Sequence, residues 1–187
     1  MKKFISLLLA LTVVFGAMAQ LPAVQLKDAR GRAVDVSKLS NNGKPFAISM
    51  FATWCKPCLR ELKAINEVYA DWQDETGMKL FIVSIDKAQD APKVKPLVDS
   101  EGWEYELLLD PNSDLYRALG VTAVPYVLVC DGNGNIVYNH TGYTDGGESQ
   151  IIEAVRKAAD AKPAKATAKA AKATSKTATK TKKAAKR

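Results

Sequence analysis

Histidine occurs once in these 187 residues and cysteine three times. That scarcity already narrows the chemistry, because a structural zinc site takes four ligands, usually two close pairs of cysteine or histidine. Cys55 and Cys58 make one such pair, but Cys130 and His140, the remaining candidates, do not make a second. Long apolar runs are also scarce. The most prominent one, Phe4 to Phe15, falls short of the ~20 residues a membrane-spanning helix needs, and nothing after it is long and apolar enough to cross a bilayer. The last stretch, residues 161–187, lacks acids, aromatics and large aliphatics while carrying ten basic side chains. It has nothing with which to bury a core and is expected to be a disordered tail. No internal repeat is found.

What is present fits one globular domain: 47% of the chain is hydrophobic and 25% charged, enough for a core of its own. The formal net charge of +7 is misleading, however. Without the ten basic residues of the tail and without Lys2 and Lys3, 15 basic side chains face 20 acidic ones, leaving residues 20–160 at −5. The opening "MKKFISLLLALTVVFGAMAQ" has the basic, apolar and small-x-small parts of a secretory signal, with cleavage expected after Ala19. An uncleaved anchor is the alternative. Export to a periplasmic or other extracytoplasmic space would let disulfides persist there, so a cysteine pair in this chain can cycle between thiol and disulfide.

Periodicity orders the middle of the chain. "KPFAISMFAT" (44–53) and "LFIVSI" (80–85) are continuous apolar runs of the kind seen in strands buried on both faces. Between them Cys58, Leu62, Ile65, Tyr69 and Trp72 fall on one face at helical spacing, and Gly77 ends the helix. Strand, helix and strand in this order predict a βαβ unit with parallel strands. Further on, 103–110 reads as a strand, 112–120 as a short helix opened by a capping residue, 125–130 as a strand, and "DGNGN" as a hairpin turn into 136–143. "GESQIIEAVRKAA" closes the domain as an amphipathic helix. The expected architecture is α/β, a mixed central sheet flanked by helices in a three-layer sandwich.

The sequence "FATWCKPCLRELKAI" (51–65) places its two cysteines at the opening of that helix. There, unpaired backbone N–H groups and the helix dipole favour negative charge, which stabilises a thiolate at Cys55. Pro57 suits the first turn, where its missing N–H costs nothing. Cys58 lies one turn inward on the apolar face. Cys55 is thus the expected attacking sulfur and Cys58 the resolving one. Lys56, exposed beside the nucleophile, is a modest tuner of its charge. Cys130, at the end of a buried strand, reads as a small hydrophobe, and His140 as a strand residue.

"WCKPC" after a buried strand, followed by "VTAVPYVLV" about seventy residues later, resembles the thioredoxin superfamily over roughly residues 20–160. The resemblance implies a thioredoxin-like fold in which Pro125, preceded by Val124, is cis and lies against the disulfide, exposing backbone for an extended substrate. Trp54 would add to that docking surface. Within the superfamily the chain is more similar to the exported TlpA/ResA type than to thioredoxin. Ser49 stands where thioredoxin has a buried aspartate, Glu61 stands three residues after the second cysteine, and residues 86–119 are long enough for an extra strand-helix insertion. Glu61, at the edge of the buried face, would be partly desolvated and able to exchange a proton with Cys58; the alternative is an exposed glutamate paired with a lysine.

The resemblance implies a thiol-disulfide oxidoreductase needing no cofactor beyond its own dithiol. The Lys56-Pro57 pair lacks the histidine of strongly oxidising motifs, so a reductant is expected, with an oxidase or isomerase of the same fold as the alternative. Its partners would be cysteine-containing exported proteins and a membrane electron donor. A thiol peroxidase would want Thr or Ser three residues before the reactive cysteine, where Ala52 stands. A different class remains open: a binding module whose basic tail grips an anionic envelope polymer or lipid, without specific nucleic-acid recognition.

Overall fold

The computed structural model describes residues 19–160; all but the last residue of the expected export signal, and the whole basic tail, lie outside the described residues. A seven-stranded mixed sheet runs in the order β2-β1-β5-β4-β3-β6-β7. Its strands are β1 (Gln25–Asp28), β2 (Ala33–Asp35), β3 (Phe46–Phe51), β4 (Lys79–Ser84), β5 (Glu106–Leu109), β6 (Tyr126–Cys130) and β7 (Ile136–Thr141). The helices are α1 (Lys56–Thr76), α2 (Val94–Ser100), α3 (Asp114–Ala118) and α4 (Glu148–Asp160). β3 pairs parallel with β4, and β4 with β5, while β6, β7, β1 and β2 join antiparallel at the two sides. The βαβ unit read from the sequence is therefore β3-α1-β4.

Alternation along β3 divides the core into two layers. Ala47 and Phe51 face the layer built with α1, α2 and α4, and Phe46, Ile48 and Met50 face the layer that takes in Leu115 of α3 and Val36. The side chains expected on the inner face of α1, from Cys58 to Trp72, are all buried. Each large apolar one contributes roughly 1.5–3 kcal/mol by leaving water, which fixes the helix against the sheet. Gly77 ends α1 in the left-handed conformation at φ 64°, donating its N–H to Gln73 O, as a glycine does without steric cost.

Two expected elements are shorter than the sequence suggested, and three others were not expected from it. The strand expected over 103–110 shortens to Glu106–Leu109 because Trp103 and Tyr105 turn into the core under α1. Tyr105 meets Tyr69 edge-on at 5.0 Å and donates its hydroxyl proton to Leu62 O at 2.9 Å. The helix expected from Asn112 begins at Asp114, and no side chain of the residue before it caps it. Instead the buried carboxylate of Asp110 accepts from Asp114 N (2.6 Å) and Tyr116 N (3.0 Å). The long segment 86–119 holds α2 and β5 as well as α3, and the β1–β2 hairpin extends the sheet beyond β5 with no clear periodicity to announce it.

The "DGNGN" turn joins β6 to β7 and packs on the turn before β3, so closely that a Cβ on Gly132 would overlap the Gly43 carbonyl. Gly132→Ala is therefore expected to lower stability by about 1–3 kcal/mol, read as a reduced urea midpoint at unchanged slope. A change below ~0.5 kcal/mol would mean the two turns part freely.

Candidate active site

The site forms at the carboxyl ends of the central strands, where β3 gives way to α1. After Phe51 the chain leaves the sheet in a tight turn closed by Cys55 N donating to Ala52 O at 3.0 Å. Cys55 then occupies the N-cap of α1 with extended backbone (φ −89°, ψ 93°), and its Sγ accepts from Cys58 N at 3.3 Å. No acidic side chain lies in the first turn of this 21-residue helix, so no carboxylate there offsets the positive end of its dipole, which is turned toward the sulfur. Pro57 falls within the first two positions, where no N–H is missed. Lys56 is exposed beside it.

Cys55 and Cys58 are joined as a disulfide, Sγ–Sγ 2.04 Å. Their exposures differ in the direction the sequence suggested: Cys55 retains 5% of its surface and Cys58 none. Trp54 is 66% exposed and so stands out beside the disulfide; it is not a core residue. On the other side the Val124–Pro125 peptide is cis and the Val124 carbonyl lies 3.7 Å from Cys55 Sγ. Pro125 is buried, and its own carbonyl accepts from Gly142 N at 2.8 Å, which ties this wall to the end of β7.

Beneath the disulfide lies a buried carboxyl group. Glu61, one turn after Cys58, is 1% exposed, deeper than the edge position expected from the helical count. Its partner is a hydroxyl of the sheet: Ser49 Oγ donates to Glu61 Oε1 at 2.9 Å. Lys63, the nearby lysine, is engaged elsewhere, pairing with Glu101 at 3.1 Å. Burial disfavours the charged form and pushes the Glu61 carboxyl up to about 7; the Ser49 hydrogen bond opposes this and the Glu148 carboxylate adds to it. Cys130 is fully buried at the end of β6, on the opposite face of the sheet, and burial raises its thiol to about 12. His140 sits exposed on β7. Among the described residues no cluster of His, Cys, Asp and Glu has the arrangement of a metal site, and no helix is long and apolar enough to cross a membrane.

Asp86 is a further residue of the site that the motifs did not single out. This residue, 1% exposed just after β4, accepts from Thr53 N at 2.9 Å and Thr53 Oγ1 at 2.7 Å, inside the turn that carries Trp54 and Cys55. The signal the sequence did hold was an aspartate directly after the apolar run 80–85.

Glu61 yields a pH prediction. Its folded pKa lies above its unfolded value, so its contribution to stability is fully present at low pH and is lost as pH rises through about 7. The oxidised protein should lose on the order of 3 kcal/mol of unfolding free energy between about pH 4.5 and pH 8 from this group. Glu61→Gln should flatten that dependence in urea titrations at several pH values. An unchanged slope in the variant would place the titration elsewhere.

Known proteins are similar to this chain in sequence and in fold. The AhpC/TSA family model matches residues 17–139. The thiol-disulfide oxidoreductase ResA of Halalkalibacterium halodurans is 25% identical over 128 residues, 68% of this chain and 68% of that one. A solution structure of an uncharacterized thioredoxin-like protein from Porphyromonas gingivalis is 62% identical and superposes with a TM-score of 0.69, covering 77% of this chain and 94% of that one. A thioredoxin-family thiol:disulfide interchange protein from Chlorobium tepidum, 22% identical, superposes at 0.61 over 77% of this chain and 98% of its own and speaks for the fold alone. A mixed sheet with a disulfide at the head of α1 and a cis-proline opposite it is thus a thioredoxin-like fold, and the chain belongs to the AhpC/TSA family.

Proposed function

We propose that this thiol-disulfide oxidoreductase works outside the cytoplasm as a reductant of disulfides in cysteine-containing exported proteins. The observation that carries the reading is the position of Cys55 Sγ at the head of α1, with the Cys58 N–H aimed at it and the Cys58 sulfur shielded beneath. In the dithiol form, Cys55 loses its proton and its thiolate attacks one sulfur of a substrate disulfide. A mixed disulfide forms and one substrate thiolate leaves. Cys58, deprotonated in turn, attacks Cys55 Sγ, restoring the Cys55–Cys58 bond and releasing the second substrate thiol. Two electrons pass to the substrate, and a membrane electron donor is needed to return the protein to its dithiol. The dithiol carries these electrons without a further cofactor.

Other residues serve this cycle. Glu61, protonated or ionised with similar ease near neutrality, exchanges the Cys58 proton where water does not reach. Trp54, Val124 and Pro125 form the docking surface for an extended substrate segment, and Lys56 and Pro57 tune the nucleophile. The peroxidase reading that the family name allows is weakened by Ala52, which puts no hydroxyl three residues before Cys55, and by the presence of Cys58, which such a reaction does not require.

The direction rests on the residues between the cysteines. The reduction potential is expected nearer the thioredoxin value of about −270 mV than the DsbA value of about −120 mV, measured by equilibration with a dithiol buffer; a value near the latter would make the protein an oxidase. Insulin reduction should vanish in Cys55→Ser, whereas Cys58→Ser should accumulate a mixed disulfide that is visible by mass. Equal insulin reduction by Cys55→Ser and wild type would remove the enzymatic reading.

The ten basic residues of 161–187 support a second, separate role as an attachment to an anionic envelope polymer or lipid. Deleting them should abolish salt-sensitive binding to anionic vesicles while leaving insulin reduction intact. Retention of binding by the truncated chain would assign it to the domain.

A further inference from the structure

We propose that Asp86 is a positioning residue for Cys55: its buried carboxylate holds the turn from which the nucleophile is presented. The turn Ala52–Cys55 has left the sheet, so its backbone groups need partners of their own. Cys55 N is satisfied by Ala52 O. The Thr53 N–H has the Asp86 carboxylate, with Oδ2 at 2.9 Å, while Oδ1 accepts from Thr53 Oγ1 at 2.7 Å, so one residue of the turn is gripped through both its main chain and its side chain.

The grip is firm because Asp86 is itself fixed. Ser84 Oγ donates to Asp86 Oδ2 at 2.8 Å and accepts from Asp86 N at 3.0 Å, a closed ring at the end of β4. Ile85 N donates to Phe51 O at 2.9 Å, and Asp110 N to Ser84 O at 2.8 Å, so the ends of β3, β4 and β5 are tied together beneath the turn. Three donors converge on one carboxylate that is 1% exposed. A buried acceptor in this position holds geometry, because losing it strands a backbone N–H that water reaches poorly.

Only Trp54 separates Thr53 from Cys55, so any rotation of the turn is passed to Cys55 Sγ, its contact with Val124 O, and the hydrogen bond from Cys58 N. Attack on a disulfide is sensitive to such displacement, and an error near 1 Å can cost on the order of a hundredfold in rate. The side chain of Asp86 does not itself meet the reacting sulfurs; it acts through Thr53.

This inference rests on the dithiol chemistry proposed above, and the test separates the two. The probe is oxidised glutathione, which takes two electrons from the reduced protein, leaving the Cys55–Cys58 disulfide and two molecules of glutathione, whatever the physiological substrate or direction. Loss of this reaction in Cys55→Ser checks the dithiol reading alone. For the positioning role, rates are compared in the full chain under conditions where circular dichroism shows each variant folded. Asp86→Ala is expected to slow the reaction at least about tenfold, chiefly in the limiting rate rather than in the concentration dependence. Asp86→Asn keeps an acceptor for Thr53 N, while the Thr53 hydroxyl can turn to accept from the new amide, so it should remain within about threefold of wild type. Ser84→Ala, which frees the carboxylate without deleting it, should slow the reaction to a smaller degree and keeps the test open if Asp86→Ala does not fold. A purely structural role would lower the urea midpoint while leaving the rate of folded molecules untouched. Wild-type rates in folded Asp86→Ala or Ser84→Ala, or an Asp86→Asn as slow as Asp86→Ala, would overturn the proposal.

Discussion

Everything at this site depends on the unpaired end of one helix. The first N–H groups of an α-helix have no partner within it, and in α1 the Cys58 N–H points at Cys55 Sγ. A sulfur placed there is stabilised as an anion by local hydrogen bonding and by the dipole of the 21 residues behind it. The remaining architecture holds that helix end at the carboxyl end of β3. The inner face of α1 is locked by burial of Leu62, Ile65, Tyr69 and Trp72, and Tyr69 and Tyr105 add directional bonds to Leu80 N and Leu62 O.

Around this end the protein distributes carboxyl groups according to what each must do. Glu61 has a single donor, the Ser49 hydroxyl, so desolvation dominates and its proton is held into the neutral range. Asp86 has three donors and serves geometry. Asp110, equally buried, spends its oxygens on the amides that open α3. The same buried chemical group thus meets different N–H and O–H donors at each position, a pattern that burial alone does not set.

Much of this was legible in the chain. The apolar runs, the helical face from Cys58 to Trp72, the terminating Gly77 and the hairpin at "DGNGN" all rest on local periodicity and turn chemistry, which tertiary packing reinforced. The elements that deviated are those whose partners are distant in sequence. Trp103 and Tyr105 left their strand for aromatic contacts with Phe51 and Tyr69, and α3 took its cap from Asp110 instead of from a residue at its own start. Short strands such as β1 and β2 carry too few residues for a period to stand out.

By itself the sequence determined the dithiol: two cysteines three apart at a helix opening, with a proline between them that tolerates the first turn. These are local properties, written in residue type and spacing. Only the tertiary structure decided how deep Glu61 sits, that Ser49 is its partner, that Val124 O faces Cys55 across the site, and that Asp86 holds Thr53. Each of these is a contact between residues at least twelve positions apart in the chain. Hydrogen bonding and desolvation act through space, and the distances that govern them exist only once the sheet has brought the strand ends together.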